Sequence, residues 1–133
     1  MALRYRRVLL KLSGEALAGE RGQGLDPAAS ELITSEICDA HRLGVQLGIV
    51  IGGGNIFRGV SEAARGMSRV AADAMGMLAT VINGLALKEF LREKQIPAVV
   101  TSAHGVPKAA ELFVAERARE YLESGQIVII AGG

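Results

Sequence analysis

The chain has 133 residues, a one-domain length, and half of them are hydrophobic, which argues for a folded core rather than disorder. Fifteen Lys and Arg against 14 Asp and Glu leave a net charge of +1, so no global basic field points to nucleic acid or a membrane surface. Aromatics make up 4% with no Trp, which disfavours stacking platforms, and the single cysteine, Cys38, excludes an intrachain disulfide and fits a reducing, cytoplasmic setting.

Arg4, Arg6 and Arg7 precede an apolar run that Lys11 breaks, too short for the core of a signal peptide. No run reads as long enough to span a bilayer, so a soluble protein is expected. Val8–Leu12 reads as a buried strand ended by Ser13-Gly14. Gly19, Gly22 and Gly24 mark a flexible turn region. Asp26-Pro27 reads as a helix start, with Asp as cap and Pro in the first position, and Gly44 as its stop. Val45–Ile51 is the next strand. Gly52 to Gly66 reads as loop with a short helical piece, and a helix capped near Ser68 runs to about Lys94. Apolar residues nearly encircle that helix, so it is expected to be buried on most sides, in the core or at a subunit contact. Pro97–Ala103 is a strand, Val114–Ser124 a helix ended by Gly125, and Gln126–Ala131 the last strand.

Strands that alternate with helices and are continuous apolar runs predict a parallel sheet covered on both faces. In such sheets ligands collect at the carboxyl ends of the strands. Here those ends carry Ser13-Gly14, Gly52-Gly53-Gly54, Thr101-Ser102-Ala103 with Gly105 close behind, and Gly132-Gly133. Glycines after a strand let an anion approach main-chain amides, and the triple Gly with a matching Ser-Gly loop points to a phosphate cradle rather than a bare turn. It is neither of two familiar cradles. Phe57 stands where a dinucleotide fingerprint needs its third Gly, and Gly59 is followed by Val60-Ser61 rather than Lys and a hydroxyl residue.

The cation is therefore sought elsewhere. Lys11 lies two residues before Ser13-Gly14, placed to face a transferring phosphoryl group, the alternative being a strand-end lysine reaching solvent. Arg58 is within reach of the same pocket, or a solvated loop arginine. Asp73 sits in a mostly apolar run and needs a partner, either a ribose hydroxyl pair or Arg69 one turn earlier. Cys38, His41 and His104 lack metal-ligand or nucleophile spacing. Glu116–Glu120 reads as a solvated helix face.

Three strings carry a resemblance: Lys11 to Leu17 (KLSGEAL), Gly52 to Gly59 (GGGNIFRG) and Met75 to Ala86 (MGMLATVINGLA). They closely resemble the bacterial uridylate (UMP) kinases of the amino acid kinase superfamily. The resemblance implies a three-layer α/β/α sandwich with a mainly parallel sheet, of which residues 1–133 would be the N-terminal, UMP-binding portion. It implies transfer of the ATP γ-phosphoryl group to UMP, giving UDP, with Mg²⁺. By the same resemblance Lys11, Leu12, Ser13 and Gly14 would hold the ATP phosphates with Lys11 catalytic, and Gly54 and Arg58 would lie on the ATP side. Gly53, Asp73, Gly132 and Gly133 would contact UMP. Gly19, Glu20, Arg21, Gly22, Gln23 and Gly24 would match a stretch linked to activation by GTP, with UTP as a possible inhibitor. Gln23 departs from the aromatic residue usual there. A cytoplasmic homohexamer is implied, with no protein metal ligand in this stretch. The ATP-binding C-terminal portion, with a second lysine and an orienting aspartate, has no counterpart here, so these residues alone are expected to be inactive. Two alternatives stay open: a non-catalytic nucleotide-binding fragment, and a relative with a carboxylate acceptor.

Overall fold

The computed structural model describes residues 3–57 and 65–133. Strand β1 (Arg7–Leu12) leads through a short helix α1 (Glu15–Ala18) and a 3₁₀ turn (Gly19–Arg21) to helix α2 (Pro27–Arg42). Strand β2 (Gln46–Ile51), the long helix α3 (Arg69–Glu93) and strand β3 (Ala98–Ser102) follow. The two-residue strand β4 (Glu111–Leu112), helix α4 (Ala115–Glu123) and strand β5 (Ile127–Ala131) complete the chain. The sheet order is β1-β2-β5-β3-β4 and every strand pair is parallel, as the unbroken apolar runs predict.

The helices begin where their caps dictate. The Asp26 carboxylate accepts from the Ala29 amide at 2.9 Å with Pro27 in the first position, and Ser68 Oγ accepts from the Ala71 amide at 3.1 Å. Neither α1 nor β4 is visible in the sequence pattern, because four and two residues are too short to show a period. Leu17 and Ala18 of α1 are nonetheless fully buried.

One face of the sheet carries Leu47, Ile49, Ile51, Val100, Ile127 and Ile129, packed with Leu17, Ile37, Leu87 and Leu91 from the helices into one core. Gly84 permits the approach of α3: a Cβ there would meet Val100 and Ile129 methyls at 3.1 and 3.4 Å. Val128, buried yet outside that cluster, belongs to the opposite face, which α4 covers. The result is a three-layer arrangement.

By length and composition α3 is apolar enough to cross a membrane, contrary to the reading that no run is. In this fold it lies on the sheet with Ala79, Val81, Leu87 and Leu91 buried. Its apolar perimeter is not closed over, however. Met75, Leu78 and Ile82 form an exposed stripe at helical spacing. The helix is therefore a core helix on one side and open on the other.

Cys38 is 1% exposed, and burial pushes its thiol up from the usual range. It should resist alkylation by iodoacetamide in native buffer and react promptly in denaturant. Labelling of the folded protein would contradict its burial.

Candidate functional site

Register brings the strand ends level. Leu12 pairs with Ile51, Val50 with Ile130, and Ser102 with Ala131, so four of the five strands finish side by side at one edge. The Ser13-Gly14 turn therefore abuts Gly52. The Gly52 amide donates to Leu12 O at 2.9 Å, and a Cβ on Gly52 would lie 3.3 Å from the Gly14 nitrogen.

Above this edge opens a pocket of about 550 Å³. Lys11, Leu12, Ser13, Gly14, Gly54 and Gly133, all expected site residues, line it together. Val50, Thr80 and Glu15 line it as well, though the sequence reading did not single them out. The exposed Lys11 side chain stands at the strand end beside the Ser13-Gly14 turn, as its position predicts. The lining combines main chain of the two glycine turns, the Ser13 and Thr80 side chains and the Lys11 ammonium, with the Glu15 carboxylate as its one acidic group, so main-chain amides and Lys11 are what it offers to anionic oxygens.

The glycines divide into two kinds. Gly53 is held against α3: a Cβ would lie 2.8 Å from both Ala79 Cβ and the Thr80 nitrogen. Its missing side chain serves close packing on protein backbone, whatever else it allows. Gly54 lines the pocket itself. Gly132 has φ +71° and would clash with Ser102 Oγ at 2.4 Å if it bore a Cβ. Its amide donates to Thr80 Oγ1 at 2.7 Å, and Thr80 Oγ1 in turn donates to Met77 O at 2.6 Å. Thr80 is thus a peg between α3 and the end of β5. A threonine in an otherwise apolar helix turn was the available signal. Thr80→Val keeps the shape and removes the peg, and should lower the melting temperature by a few degrees, about 1 kcal/mol.

Asp73 stands apart from this pocket. It lies seven residues before Thr80, about 10 Å along the helix axis. Its side chain is 66% exposed and its carboxylate pairs with Arg69 Nε at 3.4 Å. Exposure removes the burial cost that singled it out, and Arg69 is its partner in this structure. Arg58 and Gly59 fall outside the described residues.

The Gly19–Gly24 stretch packs beside the glycine loop rather than in the pocket. Gly19, Gly22 and Gly24 have φ of +60°, +72° and +69°, so a tight turn is built from them. Arg21 pairs with Asp26 at 3.6 Å, and the Gly24 amide donates to Asn55 O at 2.8 Å. An open recess lies here between Arg21, Gln23 and Gly24 on one side and Asn55 and Ile56 on the other. Among the described residues no group of three His, Cys, Asp or Glu could hold a metal ion.

A parallel sheet between helices, with a glycine-lined pocket at its carboxyl edge, defines an open α/β fold with its candidate site at the strand ends. Residues 6–133 match the amino acid kinase family, and the chain belongs to it. It is 53% identical over its whole length to a uridylate kinase of Chelativorans sp. (strain BNC1), covering 54% of that protein. It is also 53% identical to the uridylate kinase of Agrobacterium fabrum over 97% of its length, again covering 54%. The crystal structure of UMP kinase from Bacillus anthracis superposes with a TM-score of 0.89 at 42% identity, over 97% of this chain and 53% of that one. The chain spans about half the length of the relatives it matches.

Proposed function

We propose that these residues are the acceptor-side portion of a uridylate kinase, which transfers the ATP γ-phosphoryl group to UMP. One observation carries the reading: Lys11, Ser13-Gly14 and Gly54 converge on one pocket in a chain about half identical, end to end, to uridylate kinases. Lys11 offers a cation to the transferring group, while the Leu12–Gly14 turn, Gly54 and Arg58 take the ATP phosphates. Gly53, Gly132 and Gly133 present main chain toward UMP. Asp73 takes the ribose hydroxyls by exchanging its Arg69 partner. Catalysis is then by positioning and charge neutralisation, with a UMP phosphate oxygen attacking in line. Mg²⁺ would enter with ATP, as part of that substrate.

The exposed stripe Met75, Leu78 and Ile82 supports a homo-oligomer with α3 at a subunit contact, and a hexamer by family. The recess beside Gln23 and Gly24 supports an effector site there, for GTP or UTP. A cytoplasmic setting fits a chain whose one cysteine is a buried free thiol.

The test joins residues 1–133 to the remaining length of the Chelativorans relative and follows ADP release with UMP, CMP or acetylglutamate as acceptor. UMP should be preferred by at least an order of magnitude. Faster turnover with the carboxylate would overturn the reading. The 133 residues alone should bind nucleotide without turnover.

A further inference from the structure

Two buried side-chain amides meet behind the glycine loop. Asn83 of α3 is fully buried and Asn55 is 3% exposed. Asn83 Nδ2 donates to Gly52 O and to Asn55 Oδ1, both at 2.7 Å. Asn55 Nδ2 donates to Gly24 O at 2.8 Å and to Asn83 Oδ1 at 3.2 Å. Each NH₂ uses both hydrogens and each Oδ1 accepts one. The orientations are forced: main-chain carbonyls only accept, so Gly52 O and Gly24 O must each face an NH₂. With that settled, the remaining donor and acceptor of each amide match the other.

The pair also touches the third loop of the site. A Cβ on Gly14 would lie 2.2 Å from Asn55 Oδ1 and 3.1 Å from Asn83 Nδ2. Gly14, Gly24 and Gly52 therefore converge on one amide pair. Asn83 lies between Ala79 and Leu87 on the buried stripe of an apolar helix, where a hydrocarbon side chain would pack without needing the three hydrogen bonds that Asn83 makes. Core packing does not explain an Asn there.

We propose that Asn55 and Asn83 are positioning residues that set the Gly52–Gly54 loop against the Gly14 turn and tie both to Gly24. Displacement of one loop is then felt at the other two. The functional consequence, control of the anion pocket by the Gly24 turn, rests on the phosphate-site reading above. The coupling itself does not.

The test is Asn83→Asp in the 133-residue chain, followed by amide NMR and hydrogen exchange at pH 8 and pH 5. The carboxylate still accepts from Asn55 Nδ2, but sets a bare oxygen against Gly52 O and Asn55 Oδ1. Burial beside those acceptors raises its titration, so at pH 5 the protonated group regains one donor. At pH 8 the Gly14, Gly24 and Gly52 amides should shift, and protection of the Gly24 amide should fall by about tenfold. Leu87 and Ile129 should hold their shifts, and pH 5 should restore most of the wild-type spectrum. A purely structural Asn would change global stability without this pattern. Gly24 bonds Asn55 and not Asn83, so its response reports transmission. Shifts confined to α3 and Gly52, with Gly24 and Gly14 unmoved, would overturn the proposal. Asn83→Ala must give the same three-loop pattern without pH dependence, and it decides the matter if Asn83→Asp fails to fold at pH 8. A wild-type chain that does not bind ATP would count against the phosphate site, yet these readouts would stand.

Discussion

Lys11→Ala, in the chimera completed with the Chelativorans C-terminal portion, should lower turnover with UMP by about a thousandfold. UMP affinity should change by less than about threefold. The split follows from where charge develops. In transfer, negative charge spreads over the oxygens of the moving phosphoryl group, and a cation acts most strongly there. Lys11 stands at the end of β1, beside the Ser13-Gly14 turn assigned to ATP phosphates, and shares the pocket with Gly133 of the UMP side, which places it between the two rather than in the hold on UMP. Lys11→Arg should recover only part of the loss, since a planar fork cannot occupy the place of a compact ammonium. Equilibrium dialysis for UMP with steady-state ADP release separates the two quantities. Near-normal turnover would remove Lys11 from the reaction and return it to the alternative of a strand-end lysine in solvent.

Much of the frame is readable from the residues because each longer element advertises itself. Apolar runs such as Val45–Ile51 name the parallel strands, and Asp26-Pro27 names a helix start that the Asp26 bond to the Ala29 amide bears out. The site is less readable, because it depends on what lies opposite what. Leu12 level with Ile51 is a matter of register, and register is what packs Ser13-Gly14 against Gly52. An apolar run around α3 could not say which side meets the sheet, so Asp73 read as a residue in need of rescue when it stands in solvent beside Arg69. Asn83 was legible in principle: a polar residue four positions from both Ala79 and Leu87 on a buried stripe requires a partner. That the partner is Asn55 follows only from the folded chain.

Gly53→Ala should be the most damaging single-methyl change in the glycine loop. The added carbon would lie 2.8 Å from Ala79 Cβ, 2.8 Å from the Thr80 nitrogen and 2.9 Å from the Ala79 carbonyl carbon. These are main-chain atoms and a Cβ of a helix fixed on the sheet, so rotamer changes give no relief and the loop must move away. Gly53 O accepts from both the Ile56 and Phe57 amides at 3.0 Å, so the turn that carries Gly54 moves with it. A cost of about 2 kcal/mol is expected, seen as a fall of roughly 5–10 °C in melting temperature. Nucleotide affinity should fall at least about tenfold even at temperatures where the variant is folded, because the pocket loses the position of Gly54. Gly76→Ala in the same helix gives the opposite sign. A Cβ there meets nothing within 4 Å, and exchanging helical Gly for Ala stabilises by about 0.5–1 kcal/mol. If the two variants melted alike, the contact between the glycine loop and α3 would not be what holds the loop in place.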